Sequence, residues 1–99
     1  MEIVWTRPAL ADLAAIQAHV AERSAAAAWA LTTAVVDRTT TLLADNPLIG
    51  RQGRVAGTRE LVVSGTPYIV AYRVRSRVEV LAVMHGAREW PDPEALTSP

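Results

Sequence analysis

Cysteine and lysine are both absent from the 99 residues, and histidine occurs only at His19 and His85. Without cysteine there is neither a disulfide nor a thiol nucleophile, and two histidines alone are too few for a dedicated zinc site. No cofactor and no metal is expected. No apolar run approaches the roughly 18 residues that a membrane helix needs. The opening MEIVWTRP has neither the basic stretch nor the apolar segment of a secretory signal. The expectation is a cytoplasmic protein without membrane association. Repeats are missing too, and low complexity is confined to AAAA at 25–28, which makes good helix.

What is present suits one folded domain, expected over residues 1–91 with a tail at 92–99. Hydrophobic residues make up 51% and charged residues 20%, which separates the chain from the low-hydrophobicity, high-charge composition of disorder. Net charge is zero, but it is unevenly placed. Residues 1–50 hold three Arg against five acids, a net of −2, whereas residues 51–88 hold seven Arg against Glu60 and Glu79, a net of +5. Residues 89–99 return −3 through Glu89, Asp92 and Glu94. Every basic residue is arginine, whose planar fork matches carboxylates and phosphates. The positive half therefore points to an acidic partner or to nucleic acid, with coding bias as the alternative source of the missing lysine.

The pattern of elements is β-α-α-β-β-β. EIVWT at 2–6 is rich in β-branched and aromatic residues, as a short strand is. Thr6 can then cap a helix whose first turn accepts Pro8. Leu10, Leu13, Ile16 or Gln17, and Val20 follow at helical spacing to about Glu22, with Asp12 toward the helix start. Ser24 is a second cap, and Ala25, Ala28, Trp29, Thr32, Val35, Val36, Thr39, Leu42 and Leu43 form one stripe, which Asp45-Asn46-Pro47 ends. So short a link between the helices predicts an antiparallel hairpin. Residues 46–58 read as a loop carrying Arg51 and Arg54. Strands are expected at 59–63, 68–75 and 77–85, separated by SGTP and by a tight turn near Ser76.

Strand parity assigns faces. Tyr68, Val70, Tyr72 and Val74 share one face, with Val78, Val80, Ala82 and Met84, and should meet the helices. The other face collects Ile69, Ala71, Arg73, Arg75, Glu79, Leu81, Val83 and His85. A half-apolar outer face is expected to bind something. Trp5 and Trp29 are expected in the core, and His19 on the surface of the first helix.

The order of elements, together with the phrases NPLIGR, GTRELVV, YIVAYRV and VMHGAR, resembles the ParE/RelE superfamily of type II toxin-antitoxin toxins over roughly residues 2–91. The resemblance implies an α+β fold, an antiparallel sheet with a helical hairpin packed on one face, and a groove on the other face held by a cognate antitoxin with an acidic tail. It also implies one of two activities. ParE-like toxins inhibit DNA gyrase by binding. RelE-like toxins cut mRNA on the ribosome with a basic cluster, including an arginine in a Tyr-Arg-x-x-Tyr pattern. Here that pattern is Tyr68-Ile69-Val70-Ala71-Tyr72, and an isoleucine supplies neither charge nor a proton.

The ParE-like reading is favoured. It assigns antitoxin contact to Ile69, Ala71, Arg73, Arg75, Leu81 and Val83, and target contact to Arg51, Arg54, Arg59, Arg88 and Trp90, with no catalytic residue. The alternative is a ribosome-dependent endoribonuclease in which His85, Arg73 and Arg88 form the reactive group. A further alternative is a degenerate toxin that only binds its antitoxin.

Overall fold

Two hydroxyl caps and two prolines delimit the helices. The computed structural model describes residues 1–86, so Arg88, Trp90 and the expected domain boundary at 91 lie outside the described residues. After β1 (Ile3–Trp5), Thr6 adopts an extended backbone and its Oγ1 accepts the Ala9 N–H, opening α1 (Arg7–Ala21) with Pro8 in the first turn. The same hydroxyl donates to the Val80 carbonyl at 2.7 Å. Ser24 Oγ accepts the Ala27 N–H at 3.1 Å and starts α2 (Ala25–Asp45), which stops at Asn46 before Pro47. The three residues 22–24 between the helices fold them into the expected hairpin.

The sheet contains β2 (Arg51–Gln52), β3 (Arg59–Val62), β4 (Tyr68–Val74) and β5 (Val78–His85), in the order β1-β5-β4-β3-β2. β2 lies inside the stretch expected to be only loop. From β5 to β2 all neighbours are antiparallel, but β1 joins β5 in parallel, so the sheet is mixed and not wholly antiparallel. A parallel neighbour needs a long crossover, which the helices and the three intervening strands provide. No helix among the described residues is long and apolar enough to cross a membrane.

The core lies between the hairpin and one face of the sheet. Ala28, Thr32, Val35, Thr39 and Leu43 form the buried line of α2, of which Val35 and Leu43, with Ala9, cluster with Leu61, Val63, Tyr68, Val70, Tyr72, Val78, Val80 and Val83. Each large aliphatic side chain buried there is worth about 1.5–3 kcal/mol relative to exposure. Trp5 packs half-buried against this cluster, but Trp29 is 68% exposed, contrary to expectation. It follows Ala28 by one residue, about 100° around the helix, which turns it off the buried line. Tyr72 is fully buried, and its hydroxyl accepts the Gly50 N–H at 2.9 Å and donates to the Pro47 carbonyl at 2.8 Å. A Cβ at Gly50 would stand 2.5 Å from that hydroxyl, so the approach requires glycine.

One irregularity changes the predicted faces. β4 and β5 pair Tyr68 with His85, Val70 with Val83 and Ala71 with Ala82, but Tyr72 with Val80. Leu81 is the extra residue of a β-bulge, which reverses the alternation beyond it. Val83 therefore joins the core on the helix side, and His85 sets its ring edge-on against Tyr68 at 5.6 Å. Leu81 and Ala82 instead pack with Ala71 on the outer face, where Met84 borders them.

Two substitutions should move stability in opposite directions. Tyr72→Phe leaves the Gly50 N–H and the Pro47 carbonyl without this partner and should lose about 1–3 kcal/mol in denaturant unfolding. Thr39→Val should hold or gain up to about 1 kcal/mol, because Thr39 Oγ1 is buried without a hydrogen-bond partner among the described residues. A loss above 1 kcal/mol for Thr39→Val would show that the hydroxyl has a role.

Candidate functional site

Three cross-strand rows make up the outer face of the sheet. One row is apolar: Val62, Ile69 and Met84, of which Val62 is exposed. The next pairs Glu60 with Ala71 and Ala82, and the last brings Arg73, Glu79 and Val4 together. Val55 and Met84 pack against Ala71, Leu81 and Ala82, so the floor of this face is already buried by its own chain. Of the positions expected to share this face, Ile69, Ala71, Arg73, Leu81 and Arg75 are brought together. Val83 is not; the bulge places it in the core.

Each carboxylate of the basic half gathers arginines. Glu60 is buried, and its Oε1 accepts from Arg51 Nε and Nη2 at 3.2 and 3.0 Å, while its Oε2 accepts the Arg54 N–H at 2.9 Å. Arg59 Nη1 donates to the Gly50 and Leu48 carbonyls at 2.8 and 3.2 Å. The three arginines expected to reach a target thus shape the 48–60 loop, although Arg51 and Arg54 keep more than half of their side chains exposed. Glu60 as the anchor of that loop was missed in the sequence; a lone acid after three nearby arginines was the available signal. Glu79 receives Arg73 Nε at 2.5 Å, with Arg75 and Arg77 at 3.7 Å. The Arg73 hydrogen bond, aided by the three positive charges, holds the Glu79 carboxyl below the usual carboxylate range against the opposing effect of desolvation.

On the helix side a pocket of about 610 Å³ opens between α1 and the end of β5, lined by Asp12, Ile16, His19, Tyr68, Val83 and His85 among others. β1 reaches only as far as Val80 along β5, and beyond it Asp12 Oδ2 accepts the Val83 N–H at 2.9 Å. Asp12 therefore caps a strand edge and lies past the first turn of α1, where its interaction with the helix dipole fades. Burial pushes its carboxyl above the ordinary value, more than the Val83 hydrogen bond lowers it. His85 belongs to this pocket, and Arg73 to the opposite face. The reactive group of His85, Arg73 and Arg88 is therefore not assembled among the described residues. His19 stands exposed, 3.9 Å from Glu22. No group of three or more His, Asp or Glu among the described residues could hold a metal ion.

A profile of the ParE toxin of type II toxin-antitoxin systems, parDE, matches residues 3–90. The chain belongs to the ParE toxin family. Y4kP of Sinorhizobium fredii (strain NBRC 101917 / NGR234), whose name proposes a toxin, is 42% identical to this ParE-family chain over 89 residues, covering 90% of this chain and 92% of Y4kP. Among solved structures, a chain of the chromosomal ParDE TA system from P. aeruginosa superposes with a TM-score of 0.77 at 30% identity, covering 86% of this chain and 95% of that one. The fold of two helices on a mixed five-stranded sheet is thus the ParE fold, and the protein is a toxin component of the type II class.

Asp12 in this ParE-family chain gives a signed pH dependence. A carboxyl whose pKa is raised on folding binds its proton more tightly in the native state, so its contribution to stability rises as pH falls through the raised value toward 3.8. Above that window the ionised, partly buried form is destabilising. Asp12→Asn keeps an acceptor for Val83 and should match or exceed the wild type at pH 7, while Asp12→Ala should lose about 1–3 kcal/mol. Urea unfolding between pH 4 and 7 separates them; equal losses would show that the negative charge itself is needed.

Proposed function

We propose that this toxin inhibits DNA gyrase by binding it, without chemistry of its own, and that a cognate antitoxin neutralises it along the outer face of the sheet. The observation that carries the choice of activity is the separation of His85 from Arg73. Cleaving RNA at a 2′-hydroxyl needs an activated oxygen, a proton donor and charge on the pentavalent state within reach of one phosphate. The bulge at Leu81 turns the histidine toward α1, whereas Arg73 is committed to Glu79 on the other side. Ile69 holds the position at which a RelE-like toxin presents arginine. Membership of the ParE family supports the same reading.

For the antitoxin, support comes from the similar chain of a ParDE system and from the character of the outer face. Val62, Ile69 and Met84 form an apolar row, and Arg73 and Arg75 lie on the same face toward the β4–β5 turn. Antitoxin contact is assigned to these residues; Ala71 and Leu81 form the floor beneath them, covered by the protein's own chain, and Val83 is removed from the set.

Antitoxin-free protein should inhibit supercoiling by purified gyrase and leave mRNA intact in a reconstituted translation reaction. Discrete mRNA cleavage abolished by His85→Ala would reject the proposal and transfer the protein to the ribonuclease branch. Inactivity in both assays, with antitoxin binding intact, would identify a degenerate toxin.

A further inference from the structure

The turn joining β4 to β5 sets three arginines around one carboxylate, and the three are not equivalent. Arg73 and Glu79 pair closely, with side chains only 14% and 13% exposed. Arg75 and Arg77 approach the same carboxylate to 3.7 Å and remain 63% and 48% exposed. No other carboxylate among the described residues lies within 4 Å of either. The cluster therefore carries a local excess of two positive charges, on two guanidinium groups whose ten N–H donors exceed what one carboxylate can accept.

Charge is only part of the pattern. On β4 the apolar row at Ile69 precedes the charged row at Arg73 by four residues, about 13 Å at strand rise. Val62 and Met84 flank Ile69 at the apolar end. A complementary occupant is an extended polypeptide with apolar side chains at one end and carboxylates at the other. A nucleic acid matches the arginines and leaves the exposed Val62 without a counterpart.

We propose that Arg75 and Arg77 are the carboxylate-binding pair of the antitoxin site, and that Arg73 and Glu79 form the internal pair that positions them. The proposal rests on the antitoxin reading above. It goes further by assigning charge recognition to Arg77 and by removing Arg73 from direct contact. Glu79 accepts from Arg73 Nε and Arg73 is largely withdrawn from solvent, which leaves the exposed guanidinium groups of its two neighbours to the partner.

The test measures affinity of the protein encoded by the adjacent reading frame for this chain at low and high salt. Wild type is compared with the double variant Arg75→Gln, Arg77→Gln and with Arg75→Lys, Arg77→Lys, and a labelled duplex DNA serves as a second ligand. The glutamine pair should weaken antitoxin binding about tenfold and flatten its salt dependence, and the lysine pair should recover part of the loss. Both side chains are exposed, so an unchanged thermal midpoint shows that the variants are folded. Antitoxin binding within twofold of wild type in the glutamine pair would overturn the proposal. Tight DNA binding lost in that variant, with antitoxin binding unaffected, would also overturn it by reassigning the pair to phosphate. Absence of antitoxin binding by the wild type itself would instead reject the underlying reading.

Discussion

Leu81 has no cross-strand partner on β4, and every residue beyond it on β5 is turned over as a result. With a regular ladder, Val83 and His85 would share a face with Arg73, and a histidine would stand at the end of an arginine-bearing groove. The additional residue instead sends Val83 into the core and His85 into the pocket beside α1, and gives the outer face Ala82 and Met84 in exchange. The bulge thus trades a titratable group for apolar surface on the side proposed to meet a partner. A binding protein gains from that exchange and a nuclease does not, which is why the local register bears on the activity of the whole molecule.

The positive half of the chain is organised by its two acids. Glu60 draws Arg51 and the Arg54 backbone inward, and with Arg59 bound to two carbonyls it gives a glycine-containing loop a fixed course over the sheet. Glu79 does the equivalent in the neighbouring row of the outer face, toward the β4–β5 turn. Burying a carboxylate is unfavourable unless charged hydrogen bonds replace its water, and arginine supplies several from a planar group. The same arginines that satisfy these acids remain partly exposed, so local structure and surface charge are supplied together.

Much of the fold was legible in the residues. Thr6 with Pro8, Ser24, and Asn46-Pro47 mark the helix ends because capping and proline geometry are local chemistry, and the strands follow from β-branched runs between turn residues. The family resemblance carried by NPLIGR, GTRELVV, YIVAYRV and VMHGAR pointed to the branch that the comparisons show. Besides the two-residue β2 within the expected loop, four features were not legible. The bulge falls inside VEVLAVMH, where every residue from Val80 to Met84 is apolar and either register buries a hydrophobic side chain. Trp29 and Ala28 both fit a broad apolar stripe, and packing chose the smaller residue for burial. The parallel pairing of β1 with β5 depends on contacts more than 70 residues apart. Asp12 suited a helix start equally well, and only the short reach of β1 gave it a strand edge to cap.

The Thr6 hydroxyl that caps α1 also donates to the Val80 carbonyl, and among the described residues β1 pairs with no strand other than β5. The first strand of the sheet is therefore completed only by the last. On a translating ribosome the N-terminal segment and the helical hairpin emerge well before Val78–Val80, and until then β1 has no neighbour to join. Closing so long a loop is a slow step in folding. The five-stranded sheet is therefore complete only once Val78–Val80 have been made, because β5 is the neighbour of both β1 and β4.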